Sequence, residues 1–367
     1  MATAFTSTRN YIDGPFWTPI LPTDSLSPTK PPVNEKDSHA ERIQILDTRR
    51  QIISQDLVRG IIEGLRSEER ESPPLLLWNE PGLSLFDTVI SSPDYYPARR
   101  EWLLLHDSIR EIVATIASGD RVIELGAGNM KKTAFFLQAL QAQGKQVEYY
   151  ACDVDQESLR KSLLELQCVL SSAGSTTKLH GLLGTYEDCA AWLKEHDSSS
   201  HTYVFWLGNS IANFTPSEAA EYTRAFLTSS VSMIVGLDGS QDQREIALSY
   251  EGPSNRDFIL QGLTHANQLL NAEVFKLDDW GFGGRWNPAV WMHESYYIAN
   301  KDLSISVYGE RYEFKKGDKL RSIRSGKWPE GKAREICKEA GGILTRAWMN
   351  QEKSYGKMFT TIDGSEV

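Results

Sequence analysis

A few residues between positions 124 and 153 have the types and spacing to hold a ribose-bearing cofactor. Glu124 sits near the end of a short apolar run, Arg121-Val-Ile-Glu-Leu, and the turn Gly126-Ala127-Gly128 follows at once. Glycines at such a turn allow positive φ and let a ligand approach the backbone closely. A helical pattern begins near Lys131 and presents free N–H groups. The next apolar run, Val147-Glu-Tyr-Tyr-Ala-Cys-Asp153, ends in an acid about 25–30 residues after the turn. In a right-handed βαβ unit that acid lies beside the glycine loop, where it can accept both hydroxyls of a ribose. The third glycine of the dinucleotide fingerprint is missing, and no phosphate-cradling loop ending in Lys-Ser/Thr is present. Glycine loop plus acid suits S-adenosylmethionine as well as a nicotinamide. One short turn with Glu124 just before it favours S-adenosylmethionine. The competing reading is a tight strand-to-helix turn that holds no ligand.

The elements around these groups alternate regularly. An amphipathic helix over 99–117 is followed by a strand at 121–125, a helix at 131–143, a strand at 147–152 and a helix at 156–171. A strand from 180 runs into a loop at Thr185-Tyr186, and a helix near 187–195 leads to a strand at 203–208. Thr215 and Pro216 open the next helix as cap and first-turn proline. A strand at 232–237 ends at Asp238. This pattern predicts an α/β fold with a parallel, doubly wound sheet, whose ligands sit at the carboxyl ends of the strands. That rule groups Gly126, Asp153, Thr185, Tyr186, Gly208, Asn209, Ser210, Asn213 and Asp238 on one rim. Outside this core the pattern predicts a helix over 47–66, a short buried strand at Leu75-Leu-Leu-Trp78, helix over 243–280, and strands at 291–300, 303–308 and 311–314. A helix at 330–340 and a last strand near Trp348 follow. Tyr95 and Tyr96 precede Pro97 at a loop or helix entry. They are either rim aromatics filling a gap or hydroxyls lining a pocket.

Composition bounds the function. The chain has 367 residues and a net charge of −10. That balance argues against broad nucleic-acid affinity, which needs a basic face, and suits a small cationic or zwitterionic substrate. Cys152, Cys168, Cys189 and Cys337 show no CxxC pairing, so free thiols in a reducing compartment are expected, with no metal site. No run reaches membrane-spanning length and no secretory signal is visible, so the expected location is the cytoplasm. Residues 1–40 are rich in Pro, Ser and Thr and read as a flexible extension, although Tyr11, Phe16, Trp17 and Ile20 could dock it on the body.

Several stretches together resemble the histidine-specific methyltransferase family. They are Glu124-Leu-Gly-Ala-Gly-Asn-Met-Lys, Tyr149-Tyr-Ala-Cys-Asp, His180-Gly-Leu-Leu-Gly-Thr-Tyr-Glu-Asp, Gly208-Asn-Ser-Ile-Ala-Asn-Phe, Gly236-Leu-Asp, Tyr250, Asn267 and Arg285-Trp-Asn. The likeness covers residues 45–360 in order. It extends to the methyltransferase part of fungal ergothioneine synthases and to dimethylallyltryptophan N-methyltransferases. The resemblance implies a Rossmann-like core at 106–242 and 301–367, with a smaller α+β substrate-binding domain at 41–105 and 243–300. It implies S-adenosyl-L-methionine held by Glu124, Gly126, Gly128 and Asp153, with Thr185 and Tyr186 near the adenine. Gly208, Ser210 and Asn213 would face the methionine end and the substrate amine. Tyr95, Tyr96 and Tyr250 would bind the substrate carboxylate or amine, and Glu294 its side chain. Two departures stand out. Trp78 replaces a tyrosine of the bacterial enzymes, and Tyr296 replaces the serine that joins the pocket acid in gripping an imidazole. Both point away from histidine, and Trp78, Trp286 and Trp291 suit an indole by stacking.

The implied reaction is in-line displacement of a sulfonium methyl by a neutral amine. Orientation does most of the work, and no strong base is required. Asn213 can orient the amine through its carbonyl, and aromatic faces can support the sulfonium by about 0.5–2 kcal/mol. Two readings remain for Glu294: contact with the substrate or pairing with Arg285. His293 should point to the opposite face of the same strand, and Asp238 either caps its strand or edges the pocket. The expected activity is N-methylation of the α-amine of an aromatic amino acid, tryptophan or prenylated tryptophan, in fungal secondary metabolism. The alternatives are histidine methylation of the ergothioneine type and a non-catalytic cofactor-binding paralogue. The expected partner is the small-molecule substrate alone, with a monomer or weak homodimer.

Overall fold

The computed structural model describes residues 43–175, 177–196, 200–350 and 359–363. The expectations for residues 1–40 lie outside that range. Six strands pair in parallel in the order β1-β4-β3-β2-β5-β6. They are β1 (Gln44–Asp47), β2 (Arg121–Leu125), β3 (Glu148–Asp153), β4 (Lys178–Leu183), β5 (Thr202–Trp206) and β6 (Val231–Val235). The order reverses between β2 and β5, which is the switch point of a doubly wound sheet. β5 and β6 are buried at every position, as expected of strands covered on both faces. Side chains alternate between two cores: Ile123 and Leu125 of β2 enter one, Val122 the other.

The helices are α1 (Ile53–Arg66), α2 (Glu80–Ser91), α3 (Tyr96–Ala114), α4 (Lys131–Ala142), α5 (Gln156–Ser172), α6 (Tyr186–Glu195), α7 (Pro216–Phe226), α8 (Gln243–Tyr250), α9 (Pro253–Leu270) and α10 (Glu330–Glu339). Their starts follow local chemistry. α7 opens with Thr215 and Glu218 in a capping box and Pro216 in its first turn. α6 opens with the same device, made by Thr185 and Asp188.

Beside the large sheet lies an antiparallel one of β7 (Trp280–Asn287), β8 (Met292–Ala299) and β11 (Lys319–Gly326), in the order β11-β8-β7. A hairpin of β9 (Leu303–Val307) and β10 (Glu310–Phe314) connects β8 to β11. α1, α2 and α9 cover this part with a third core that includes Ile61, Leu77, Phe258, Leu263 and Tyr297. The chain then returns to the large sheet. β13 (Phe359–Asp363) runs antiparallel on β6, and β12 (Ile343–Trp348) antiparallel on β13.

Four differences from the sequence pattern stand out. Pro74–Leu77 forms a 3-10 turn instead of a strand, because proline at its first position pre-sets the helical φ. The expected helix over 243–280 is two helices, broken at Gly252-Pro253 and ended at Leu270 by left-handed Asn271. β7 carries Gly281, Gly283 and Gly284 and so has almost no strand signal of its own; pairing along β8 makes it a strand. β11, which has no counterpart in the sequence pattern, pairs along β8 in the small sheet.

Candidate active site

The glycine turn leaves β2 at the switch point. Gly126 has φ +64 and Gly128 φ +55, both left-handed, and the N–H of Gly126 donates to the Cys152 carbonyl at 2.9 Å. That bond ties the turn to the end of β3, one residue before Asp153. The Asp153 carboxylate accepts from the N–H of Val154 at 2.8 Å and, at 3.4 Å, from that of Gly128. Burial raises its pKa, and these backbone donors oppose the rise. A methyl group at Gly126 would stand 3.0 Å from the Tyr186 hydroxyl. Gly126, Gly128, Asp153 and Tyr186 therefore form one cradle, floored by bare backbone and closed to a side chain. Its groups suit a ribose and an adenine: an acid to accept hydroxyls, with an aromatic residue beside it. The residues fit S-adenosylmethionine.

Glu124 and Thr185, both expected at the cofactor, are engaged within the protein. Glu124 is turned inward, where its Oε2 accepts from Thr133 Oγ1 at 2.5 Å and Tyr149 OH at 2.7 Å. Burial raises its pKa. It pins the turn to α4 and β3 from behind. The Thr185 hydroxyl is used in capping α6, against Asp188.

The loop after β5 lies across the switch point. Gly208 has φ +80, and its N–H donates to Glu101 Oε1 at 2.8 Å. Glu101, buried in α3, also accepts from Lys132 Nζ at 2.7 Å. Lys132 belongs to the first turn of α4, so one carboxylate joins the two loops that bracket the site. Ser210 Oγ donates to the Leu207 carbonyl at 3.2 Å, and Asn213 closes the half-buried 3-10 turn Ser210–Asn213. Neither Glu101 nor Lys132 carries a sequence signal, because their meeting spans α3, α4 and the β5 loop.

A buried polar cluster stands where the ends of β6, α8 and β11 meet. Lys327 and Asp238 are both 0 % exposed and pair at 3.1 Å. Lys327 Nζ also donates to Tyr250 OH at 2.8 Å and Ser325 Oγ at 2.9 Å, and lies 4.4 Å from the Tyr250 ring centroid. Asp238 accepts from Tyr96 OH at 2.9 Å. Asn209, left-handed at φ +62, accepts from the Asp238 N–H at 2.8 Å and donates to the Gly326 carbonyl at 3.2 Å. Tyr96 thus backs Asp238, where the sequence suggested contact with substrate. An aromatic run leads away from the cluster: Tyr250 to Tyr95 at 5.6 Å, Tyr95 to Phe86 at 6.2 Å, Phe86 to Trp78 at 5.1 Å. Burial raises the pKa values of Tyr95 and Tyr250.

Glu294 is not brought to this cluster. On β8 it shares a face with Tyr296, and its strand partners are Arg285 and Arg324; His293 and its partner Ser325 hold the other face, with Tyr250. Its carboxylate accepts from Tyr296 OH at 2.7 Å, Arg285 at 2.9 Å and Arg321 at 3.4 Å. Burial acts to raise the Glu294 pKa, but the Tyr296 and Arg285 donors outweigh it and the net shift is downward.

Comparison with known proteins places the chain in a family. Residues 55–361 match the model of the family described as histidine-specific methyltransferase, SAM-dependent. An N-methyltransferase of Aspergillus fumigatus, fsqC, is 50% identical over 90% of this chain and 90% of its own. The N-methyltransferase imqF of Aspergillus flavus is 44% identical over 90% of this chain and 92% of its own. The 4-dimethylallyltryptophan N-methyltransferase easF of Claviceps fusiformis is 28% identical over 84% and 92%. The chain belongs to the histidine-specific, S-adenosylmethionine-dependent methyltransferase family and is an enzyme that transfers methyl groups from that cofactor to nitrogen.

Proposed function

We propose that the acceptor is the α-amine of an aromatic amino acid, of tryptophan or prenylated-tryptophan type, in fungal secondary metabolism. The observation that carries this reading is the aromatic run from Trp78 through Phe86 and Tyr95 to Tyr250. Edge-to-face aromatic surfaces take an indole, and the Tyr95 and Tyr250 hydroxyls stand at the end of the run as donors for a carboxylate. The relative named for 4-dimethylallyltryptophan points the same way. Bound in the Gly126–Asp153 cradle, S-adenosylmethionine supplies a methyl group on a sulfonium. The protein's part is orientation: the Gly208–Ser210 loop faces the methionine end, and Asn213 aims the amine lone pair. Glu294 is engaged by Arg285, Arg321 and Tyr296, which argues against an acid-and-hydroxyl grip on imidazole. Among the described residues no helix is long and apolar enough to cross a membrane. The proposed setting is the cytoplasm, with the chain a monomer or weak homodimer. Residues 41–105 and 243–300 form the proposed substrate side, and residues 106–242 and 301–367 the cofactor side.

The test is direct competition. The protein is incubated with S-adenosylmethionine, L-tryptophan, 4-dimethylallyl-L-tryptophan and L-histidine, and mass spectrometry follows gain of methyl units. The expected result is methylation of a tryptophan-type acceptor in preference to histidine. A higher kcat/KM for histidine overturns the substrate reading.

A further inference from the structure

Hydrogen-bond counting around Tyr250 assigns a role to a lysine that the reaction itself does not use. An ammonium only donates, a side-chain amide nitrogen only donates, and a hydroxyl oxygen has two acceptor sites and one proton. The three protons of Lys327 are matched by Asp238 Oδ2 at 3.1 Å, Tyr250 OH at 2.8 Å and Ser325 Oγ at 2.9 Å. Ser325 Oγ also receives Asn209 Nδ2 at 3.5 Å. With donors on its lone pairs, Ser325 must direct its own proton to Tyr250, 3.1 Å away. The Tyr250 oxygen then accepts from both Lys327 and Ser325. Its acceptor sites are filled, so its O–H is left as a donor, on the side of the neighbouring Tyr95 hydroxyl.

We propose that Lys327 is a positioning residue that holds Tyr250 as an outward-facing donor to the carboxylate of the amino-acid substrate. The cluster has the features such a device needs. Lys327 and Asp238 have no exposure, so water does not compete for the lysine's protons. The pair is anchored from several elements: Lys327 N–H donates to the Trp291 carbonyl at 2.7 Å, and Asp238 N–H to Asn209 at 2.8 Å. A fully buried ion pair is seldom the most stabilising choice at such a position, since well-packed apolar residues often serve as well. Asp238 balances the lysine charge, so what reaches the substrate is a fixed hydrogen bond. The inference rests on the reading that Tyr250 meets the substrate carboxylate.

The experiment is a kinetic double-mutant cycle on whichever of L-tryptophan, 4-dimethylallyl-L-tryptophan, L-tyrosine and L-histidine is methylated fastest. Tyr250→Phe removes the donor; Lys327→Met removes its support at similar length. Each is expected to raise the acceptor KM by about tenfold or more, the worth of a hydrogen bond to a charged group, and to leave the KM for S-adenosylmethionine nearly unchanged. The double variant is expected to be no worse than Tyr250→Phe alone. A merely structural lysine would instead multiply the two effects, and that result overturns the proposal. If Lys327→Met does not fold, the cycle is run in an Asp238→Asn background, where no buried charge is left unpaired. An unchanged acceptor KM in Tyr250→Phe, or no methylation of any of the four, overturns the underlying reading and the inference with it. A raised KM in Tyr250→Phe with a normal one in Lys327→Met overturns the inference alone.

Discussion

Gly126→Ala tests the seat of the cofactor with one carbon atom. At φ +64 an alanine carries about 1–2 kcal/mol of left-handed strain. Its Cβ would also lie 3.0 Å from the Tyr186 hydroxyl. That ring cannot swing aside freely, because Trp206 packs on it at 4.8 Å and Tyr222 and Phe214 at 6.2 and 6.3 Å. The turn must therefore move, and the cradle moves with it. If the strain is relieved at the expense of ligand contact, affinity for S-adenosylhomocysteine falls about five- to thirtyfold, the equivalent of 1–2 kcal/mol. Titration calorimetry measures that loss, and urea unfolding measures stability alongside. Gly119→Ala is the control. It has φ +94 with nothing within 4 Å of the added carbon, so it shares the backbone strain without the contact. It should lose stability of similar size and keep its affinity. Tyr186→Phe in the Gly126→Ala background should recover only the contact part. Wild-type affinity in Gly126→Ala would refute the cradle assignment, and so would an equal loss in Gly119→Ala.

Three other outcomes are expected. Lys327→Met should destabilise the fold by about 3–5 kcal/mol by leaving Asp238 buried and unpaired, and Lys327→Met with Asp238→Asn should recover most of it in urea melts. Thr185→Ala should cost about 1 kcal/mol of stability as a lost helix cap, with affinity for S-adenosylhomocysteine changing less than in Gly126→Ala; the reverse ranking would restore Thr185 to the adenine. Glu294 has a folded pKa below its ordinary 4.5, so its contribution is present above that value and is lost as pH falls through the folded pKa. Glu294→Gln should therefore flatten the acid limb of the stability–pH curve below about pH 4.5; an unchanged limb would show that the Arg285 and Tyr296 contacts contribute nothing.

The cofactor side was legible because its signals are local. A strand, a glycine turn, a helix start and an acid after the next strand are each written within a few residues. Only right-handed βαβ winding is needed to bring Gly128 to Asp153. The capped start at Thr215-Pro216 was equally readable. The other side depends on contacts between distant segments. Glu101 gains its role only where α3 lies beside the β5 loop, and Lys327 only where the end of β11 meets Asp238 and Tyr250. Which face Glu294 takes was decided by strand register. The sequence supports the alternation of His293 and Glu294, but not which of them meets Tyr250. A bulge between Arg321 and Ile323 shifts the register of β11, so that Ser325 joins His293 on the Tyr250 face while Arg324 joins Glu294. Side-chain period in a strand is a property of neighbouring residues. The choice of face is a property of what packs against the sheet, and only the folded chain supplies it.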